Sequence, residues 1–252
     1  MDDASRPPAP EGAAAAPGTV PRPAPSLLAV EGVAKRFDGV SVLQDITLTV
    51  APGETLGLAG PNGCGKTTLL NVISGFLRPD RGRVWLENRD LTGLQPHRVV
   101  RAGVARTFQL PRLAFRMTVE ENVGAATLHH RLSRRAIRET VDRVVTSVGL
   151  GGLGTHEVRS LSQGQIRRVE LARALATDPR LLLLDEPFAS LSPGDVPEIL
   201  SALRRLRARG LSMIVVAHSR ALFEAVCERV AVIQSGRVVR TCAPGELPLP
   251  RA

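Results

Sequence analysis

The sequence predicts an α/β fold: a mostly parallel sheet covered by helices, joined to an antiparallel β portion and a helical subdomain. Three observations carry this. Glu54 to Ala59 is apolar and strand-like, enters the stretch Gly60-Pro61-Asn62-Gly63-Cys64-Gly65-Lys66-Thr67-Thr68, and continues through Leu69 to Ile73 with helix-compatible spacing. Leu181-Leu182-Leu183-Leu184 and Met213 to Ala217 are apolar on both faces, as parallel strands under helices are, and helical segments alternate with them. Leu27 to Phe37 and Val40 to Val50 hold alternating stretches separated by Asp38-Gly39, the pattern of antiparallel strands.

In chain order, Met1 to Pro25 is rich in Ala and Pro and nearly devoid of large apolar side chains, so it cannot bury enough surface to offset the entropy of ordering. Residues 1–25 are therefore expected to form a disordered tail, residues 26–247 the folded domain, and residues 248–252 a C-terminal tail. After the glycine-rich stretch and its helix, a Pro79-Asp80-Arg81-Gly82 turn leads into a strand over Gly82 to Glu87. Beyond Pro96 the pattern is mixed until Val104 to Gln109, which reads as a strand ending near Gln109. A helical subdomain is expected over about residues 110–165. Thr118-Val119-Glu120-Glu121 carries a capping-box signature there, and Arg131 to Val148 is helical, with Ile137, Val141, Val144, Val145 and Val148 on one side. Gly149 to Gly154 ends it. Arg131, Arg134, Arg135 and Arg138 form a basic stripe, read either as a solvated face or as a contact for phosphate or lipid headgroups.

Ser162-Gln163-Gly164-Gln165 opens a helix to about Ala176, which Asp178-Pro179 stops. The leucine strand follows and ends in Asp185-Glu186-Pro187. A helix over Val196 to Arg209 presents Ile199, Leu203 and Leu206 on one side and ends at Gly210. After the next buried strand stands His218, then a short helix over Ala221 to Cys227, and a hairpin of Val230 to Gln234 with Gly236 to Arg240. In folds of this class ligands lie beyond the carboxyl ends of the strands.

Composition narrows the function. The formal net charge of +9 invites nucleic acid or an anionic membrane, but the cations are almost all scattered arginines, and no block of five or six like charges occurs. Aromatic residues are 3% of the chain and Tyr is absent, so the stacking platforms a single-strand binder would want are few. Nucleic acid is not an expected partner. The longest apolar runs fall far short of the roughly 20 residues needed to span a bilayer. The acidic start, Met1-Asp2-Asp3, is unlike a signal peptide, and Cys64, Cys227 and Cys242 follow no metal or disulfide spacing. A cytoplasmic protein with reduced thiols is expected.

The glycine-rich stretch satisfies the G-x-x-x-x-G-K-[ST] pattern at a strand-to-helix turn, which implies a cradle for a nucleoside triphosphate. Glycines allow the backbone close approach, N–H groups at the helix start point inward, Lys66 adds a cation, and Thr67 offers a hydroxyl to Mg²⁺. Asp185 and Glu186, at the exit of a buried strand, are the second signal. Asp185 is expected in the metal shell and Glu186 as the base or water-positioner for attack on the γ-phosphate, since successive strand side chains diverge. The competing account is a pair that merely caps a turn.

In this order, the phosphate loop, Gln109, Leu161-Ser162-Gln163-Gly164-Gln165, Leu181 to Glu186 and His218 resemble the ATP-binding subunits of ABC transporters over about Leu28 to Leu247. The family's L-S-G-G-Q segment has Gln163 here in place of its first glycine. The resemblance implies the ABC ATPase fold, a P-loop ATPase binding ATP and Mg²⁺ through Gly60, Asn62, Gly63, Cys64, Gly65, Lys66, Thr67 and Thr68. It implies that two such subunits, identical or homologous, sandwich the nucleotide, with Ser162, Gly164 and Gln165 of one facing the loop of the other. By itself Ser162 reads as an ordinary helix N-cap. Phe37 resembles the aromatic residue that stacks on adenine, a core Phe being the alternative. Gln109 resembles the glutamine that reaches Mg²⁺ and water, and His218 the histidine that contacts the γ-phosphate. Ser190-Leu191-Ser192 stands where the family has S-A-L-D, without its Asp. Cys64 replaces a small Ser or Ala and reads as either space-filling or a reactive thiol.

Gly103 to Gln109 and Ile166 to Ala176 further resemble the branched-chain amino-acid and urea importer branch. The segment from Val123 to Val148 is shorter than that branch's insertion, and no helical tail follows Glu246. The resemblance implies import of a small solute through separate transmembrane permease subunits, an external solute-binding protein acting indirectly, and a peripheral place on the inner face of the cell membrane. A soluble ABC-type ATPase acting on nucleic acid is the alternative.

Overall fold

The computed structural model describes residues 26–128 and 132–247. The tail over 1–25, the C-terminal residues 248–252 and Arg131 of the basic stripe lie outside the described residues.

Two sheets share the chain. β1 (Leu28–Phe37) pairs antiparallel with β2 (Val40–Val50) through the Asp38-Gly39 turn, and on its other side with β4 (Arg81–Leu86). A two-residue β5 (Arg89–Asp90) completes this sheet in the order β2-β1-β4-β5. The second sheet collects β3 (Thr55–Ala59), β6 (Val104–Arg106), β7 (Leu181–Asp185), β8 (Ser212–Val216), β9 (Arg229–Gln234) and β10 (Arg237–Cys242), in the order β10-β9-β3-β8-β7-β6. Every pairing in it is parallel except the terminal β9–β10 hairpin.

The leucine run shows why the central strands carry no polar face. Leu181 and Leu183 enter the core under α1 (Lys66–Ile73) and the antiparallel sheet, while Leu182 and Leu184 enter the core formed with the helices on the opposite face. Alternation of period 2 is present, but both faces are covered, so both phases are apolar. In β8 Ile214 and Val216 face one core, Met213 and Val215 the other.

The helices on the far face are α3 (Val119–Ala125), α4 (Arg134–Ser147), α5 (Gln163–Leu175), α6 (Val196–Ala208) and α7 (Arg220–Val226). Thr118 caps α3 with the expected reciprocal box: its side chain accepts from Glu121 N–H, and the Glu121 carboxylate accepts from Thr118 N–H. Helix α4 begins later than its apolar spacing suggests, because Ser133 caps it by accepting from Ala136 N–H. Arg134, Arg135 and Arg138 are exposed, and Arg135 pairs with Glu139 one turn on, so the described part of the stripe is a solvated face.

Two features correct the sequence reading. The stretch after Pro96 is a helix, α2 (Pro96–Arg101), with Pro96 in its first turn where the missing N–H costs nothing. The strand expected to end near Gln109 stops at Arg106, so Gln109 sits on the connection leaving the sheet.

Candidate active site

Residues Gly60 to Gly65 link β3 to α1 as a tight loop around the Lys66 side chain. Gly60 has φ 148°, and a Cβ there would lie 2.1 Å from the Ile233 carbonyl oxygen and 2.8 Å from Cys64 Sγ. Only glycine fits. Lys66 is buried, and its ammonium donates to the carbonyls of Gly60 at 2.8 Å and Pro61 at 2.9 Å, so the loop curls over a cation. No side chain caps the N-terminus of α1, where Gly65 adopts a left-handed conformation, leaving the first amides of the helix facing the loop. Asn62, Gly63 and Thr67 are exposed at its mouth, and Thr68 is half-buried one residue further in. Cys64 is buried in the apolar core with its thiol against Gly60, which overturns the reactive-thiol reading in favour of space-filling.

Asp185 ends β7 and is buried. Its Oδ1 accepts from the Thr67 hydroxyl at 3.4 Å, and its Oδ2 pairs with the Arg106 guanidinium at 2.8 Å. Thr67 and Asp185 therefore place two hard oxygens together at the loop's mouth, a donor set that suits Mg²⁺ completed by phosphate oxygens. Among the described residues no group of three or more His, Cys, Asp or Glu gathers.

Glu186 is not part of the strand. Its φ of 50° is left-handed, and this turn, rather than strand alternation, separates its carboxylate from that of Asp185. Glu186 Oε1 lies 2.9 Å from His218 Nε2, and Oε2 accepts from Gln109 Nε2 at 3.4 Å. Two residues, Gln109 and His218, which follow different strands and lie 77 and 32 positions from Glu186 in sequence, thus meet on its carboxylate. Such a carboxylate can accept a proton from water while its neighbours hold its orientation.

Ser162 caps α5 by accepting from Gln165 N–H, and the Gln165 side chain returns to Ser162 N–H. The N-cap reading of Ser162 is what this chain shows. Gly164 packs so closely on the loop after Glu186 that a Cβ would sit 2.1 Å from Asp195 Oδ1, and Asp195 Oδ2 accepts from the Ser192 hydroxyl at 2.7 Å. No hydrogen bond among the described residues joins Ser162, Gly164 or Gln165 to the Gly60–Thr68 loop. Phe37 also stands apart, at the end of β1, 40% exposed with Lys35 Nζ 5.6 Å from its ring centre, so the core alternative is excluded.

Sequence reasoning passed over three residues. Arg106 binds Asp185 as above and also donates to Asn71 Oδ1 at 2.6 Å and Ser74 Oγ at 3.1 Å; burial pulls its guanidinium below the usual range, and Asp185 opposes that. Arg167 donates to the carbonyls of Phe108 and Gln109, while Glu170 accepts from Phe108 N–H at 2.7 Å, so α5 grips the backbone that carries Gln109. Burial raises the Glu170 carboxyl, with Phe108 N–H and Arg167 opposing. A charge inside an apolar strand or helix face was the available signal, but its partner lies too far along the chain to be named.

Beside Gln109 a cavity of about 540 Å³ opens between α2, α3 and α5, lined by Phe76, Val100, Phe108, Arg112 and Met117 among others. No described helix is long and apolar enough to cross a membrane.

The ABC transporter family profile matches residues 43–189, which includes the loop, Gln109, Ser162–Gln165 and both carboxylates. This chain belongs to the ABC transporter family. It is an ATP-binding, ATP-hydrolysing subunit with the ABC ATPase fold. Its relatives include a lipopolysaccharide export system ATP-binding protein LptB from Acidithiobacillus ferridurans, 38% identical over 88% of this chain and 92% of that one. A high-affinity branched-chain amino acid transport ATP-binding protein LivG from Salmonella typhimurium is 35% identical over 88% and 93%. Among solved structures, a dimeric post-hydrolysis state of the ATP-binding cassette MJ0796 bound to ADP and Pi superposes on the ABC subunit with TM-score 0.77, at 26% identity over 86% of this chain and 98% of that one.

Proposed function

We propose that this subunit powers the import of a small solute, of the branched-chain amino-acid or urea class, through separate permease subunits at the inner face of the cell membrane, an external solute-binding protein delivering the solute. The observation that carries the hydrolytic part is the meeting of His218 and Gln109 on Glu186. In this reading the amides of Gly60, Asn62, Gly63, Cys64 and Gly65 and the Lys66 ammonium take the phosphates, Lys66 exchanging two carbonyl acceptors for phosphate oxygens. Thr67, Asp185 and Gln109 would hold Mg²⁺, which supplies neutralisation of phosphate charge, and Thr68 lends a hydroxyl. Glu186 orients and deprotonates the attacking water, His218 contacts the γ-phosphate, and exposed Phe37 stacks on adenine. Ser162, Gly164 and Gln165 face the nucleotide of a second, identical or homologous, subunit, as the resemblance to the family implies, and among the described residues no hydrogen bond ties them to their own loop.

The apolar cavity beside Gln109 is where a permease segment docks, and α5 holds that same stretch of backbone through Arg167 and Glu170. Import is favoured by the LivG relatives and by the resemblance of residues 103–109 and 166–176 to the importer branch. The 38% identical LptB favours a second reading, lipopolysaccharide export. Co-purifying the membrane subunits and assaying proteoliposomes separates them. ATP-driven uptake of labelled leucine or urea supports the first reading. Lipopolysaccharide release without uptake supports the second, and DNA-stimulated, salt-sensitive ATPase without membrane partners defeats both.

A further inference from the structure

We propose that Arg106 is a positioning residue for Asp185, fixing which carboxylate oxygen faces the metal and weakening its hold on the ion; this rests on the assignment of Asp185 to Mg²⁺ above. Arg106 closes β6 beside β7 and is as buried as its partner, with side-chain exposures of 5% and 2%. Its guanidinium is a two-ended clamp. One end donates to Asn71 Oδ1 and Ser74 Oγ, at the far end of the helix that begins with Lys66, and the other to Asp185 Oδ2. Its Nε has no partner among the described residues, so these bonds are what locate the group. The Phe108 ring lies 5.1 Å from the guanidinium carbon, beside Gln109.

Two consequences follow from the geometry. With Oδ2 taken, Oδ1 is the oxygen turned to Thr67, so α1 and β7 deliver their two hard oxygens in fixed relation. A permanent cation 2.8 Å from the carboxylate also opposes a divalent cation on the same group, and burial leaves water little room to screen it. Asp185 alone would then hold a divalent cation weakly, and the phosphates of the nucleotide would supply the rest of its binding. A lysine keeps the charge but cannot reach Asn71 and Asp185 together as the planar fork does.

The test is direct Mn²⁺ binding, read by electron paramagnetic resonance with a non-hydrolysable ATP analogue, on the full chain and on Arg106→Gln, Arg106→Lys and Asp185→Asn. Arg106→Gln should bind Mn²⁺ about tenfold more tightly, because the competing charge is gone. Arg106→Lys should stay within about threefold of the parent in Mn²⁺ affinity but turn over about tenfold more slowly at saturating Mg²⁺, because the fork is lost. A folded Arg106→Gln with the parent's Mn²⁺ affinity and only a lower melting temperature overturns the inference. If Arg106→Gln does not fold, an Arg106→Lys with parental affinity and parental turnover overturns it. Asp185→Asn separates the two levels: loss of Mn²⁺ there with no change in Arg106→Gln sinks this inference alone, whereas parental Mn²⁺ affinity in Asp185→Asn sinks the metal assignment beneath it.

Discussion

The loop before α1 and the turn before α5 are both helix N-termini framed by glycine, yet they are finished to different degrees. The first is assembled within one chain: Lys66 is curled into it, Thr67 reaches Asp185, and the carboxylate that follows Asp185 gathers Gln109 and His218. The second is capped by Ser162 and Gln165 and buttressed by Asp195, and among the described residues no hydrogen bond joins it to the loop before α1. One half-site carries reactive groups and the other carries shape. On the function proposed above, such a chain would gain its full site only when a second copy or homologue supplies the missing half, and each half should then fail differently when damaged.

The largest effect is expected on the first half. Glu186→Gln should lower turnover by about 10²–10⁴-fold, since on the proposed function it removes the general base, while ATP affinity measured by equilibrium dialysis stays within a few-fold of the parent. Equal loss of binding and turnover would erase the distinction between the halves. Next comes Gly164→Ala, whose Cβ meets Asp195 Oδ1 at 2.1 Å. It should cut turnover by about 10- to 100-fold through displacement of α5, with ATP binding to the single chain unchanged. Adding Asp195→Ala should restore part of that turnover, because the clash and its relief are coupled. No recovery would mean that Gly164 is needed for something other than room beside Asp195.

A smaller change is expected from Phe37→Ala, which should weaken ATP about fivefold in a fluorescent-nucleotide competition without altering maximal turnover, the loss of one stacking surface. The smallest expected effect is none at all. Burial pushes the Cys227 thiol up to about 12, and Cys64 is enclosed in the core, so folded protein at pH 8 should resist iodoacetamide at both positions by mass spectrometry. At that pH the Cys227 thiolate would be about one part in 10⁴. Rapid labelling of Cys64 that ATP blocks would move its thiol out of the core and into the first half-site.

How much of this was legible in the residues depended on range. The leucine strand, the capping box at Thr118, the N-cap at Ser162 and the loop around Lys66 are local patterns, and local chemistry builds them. Helix α2 escaped because six residues with a single buried side chain, Val99, show no periodicity, though Pro96 marked its start. Arg106 with Asp185, and Glu170 with Phe108, lie 79 and 62 positions apart, and nothing along the chain tells a buried charge which distant carboxylate or amide will satisfy it. The left-handed turn at Glu186 was hidden too, since its conformation is imposed by the sheet's end and a Glu carries no sign of it.

On the proposed function, triphosphate binding depends above all on the cation inside the loop. Isothermal titration of ATP into Lys66→Ala, alongside steady-state hydrolysis, should show affinity lowered by about two orders of magnitude and turnover lost, because the ammonium is the one full positive charge the loop itself contributes. Parental affinity with parental turnover would contradict it.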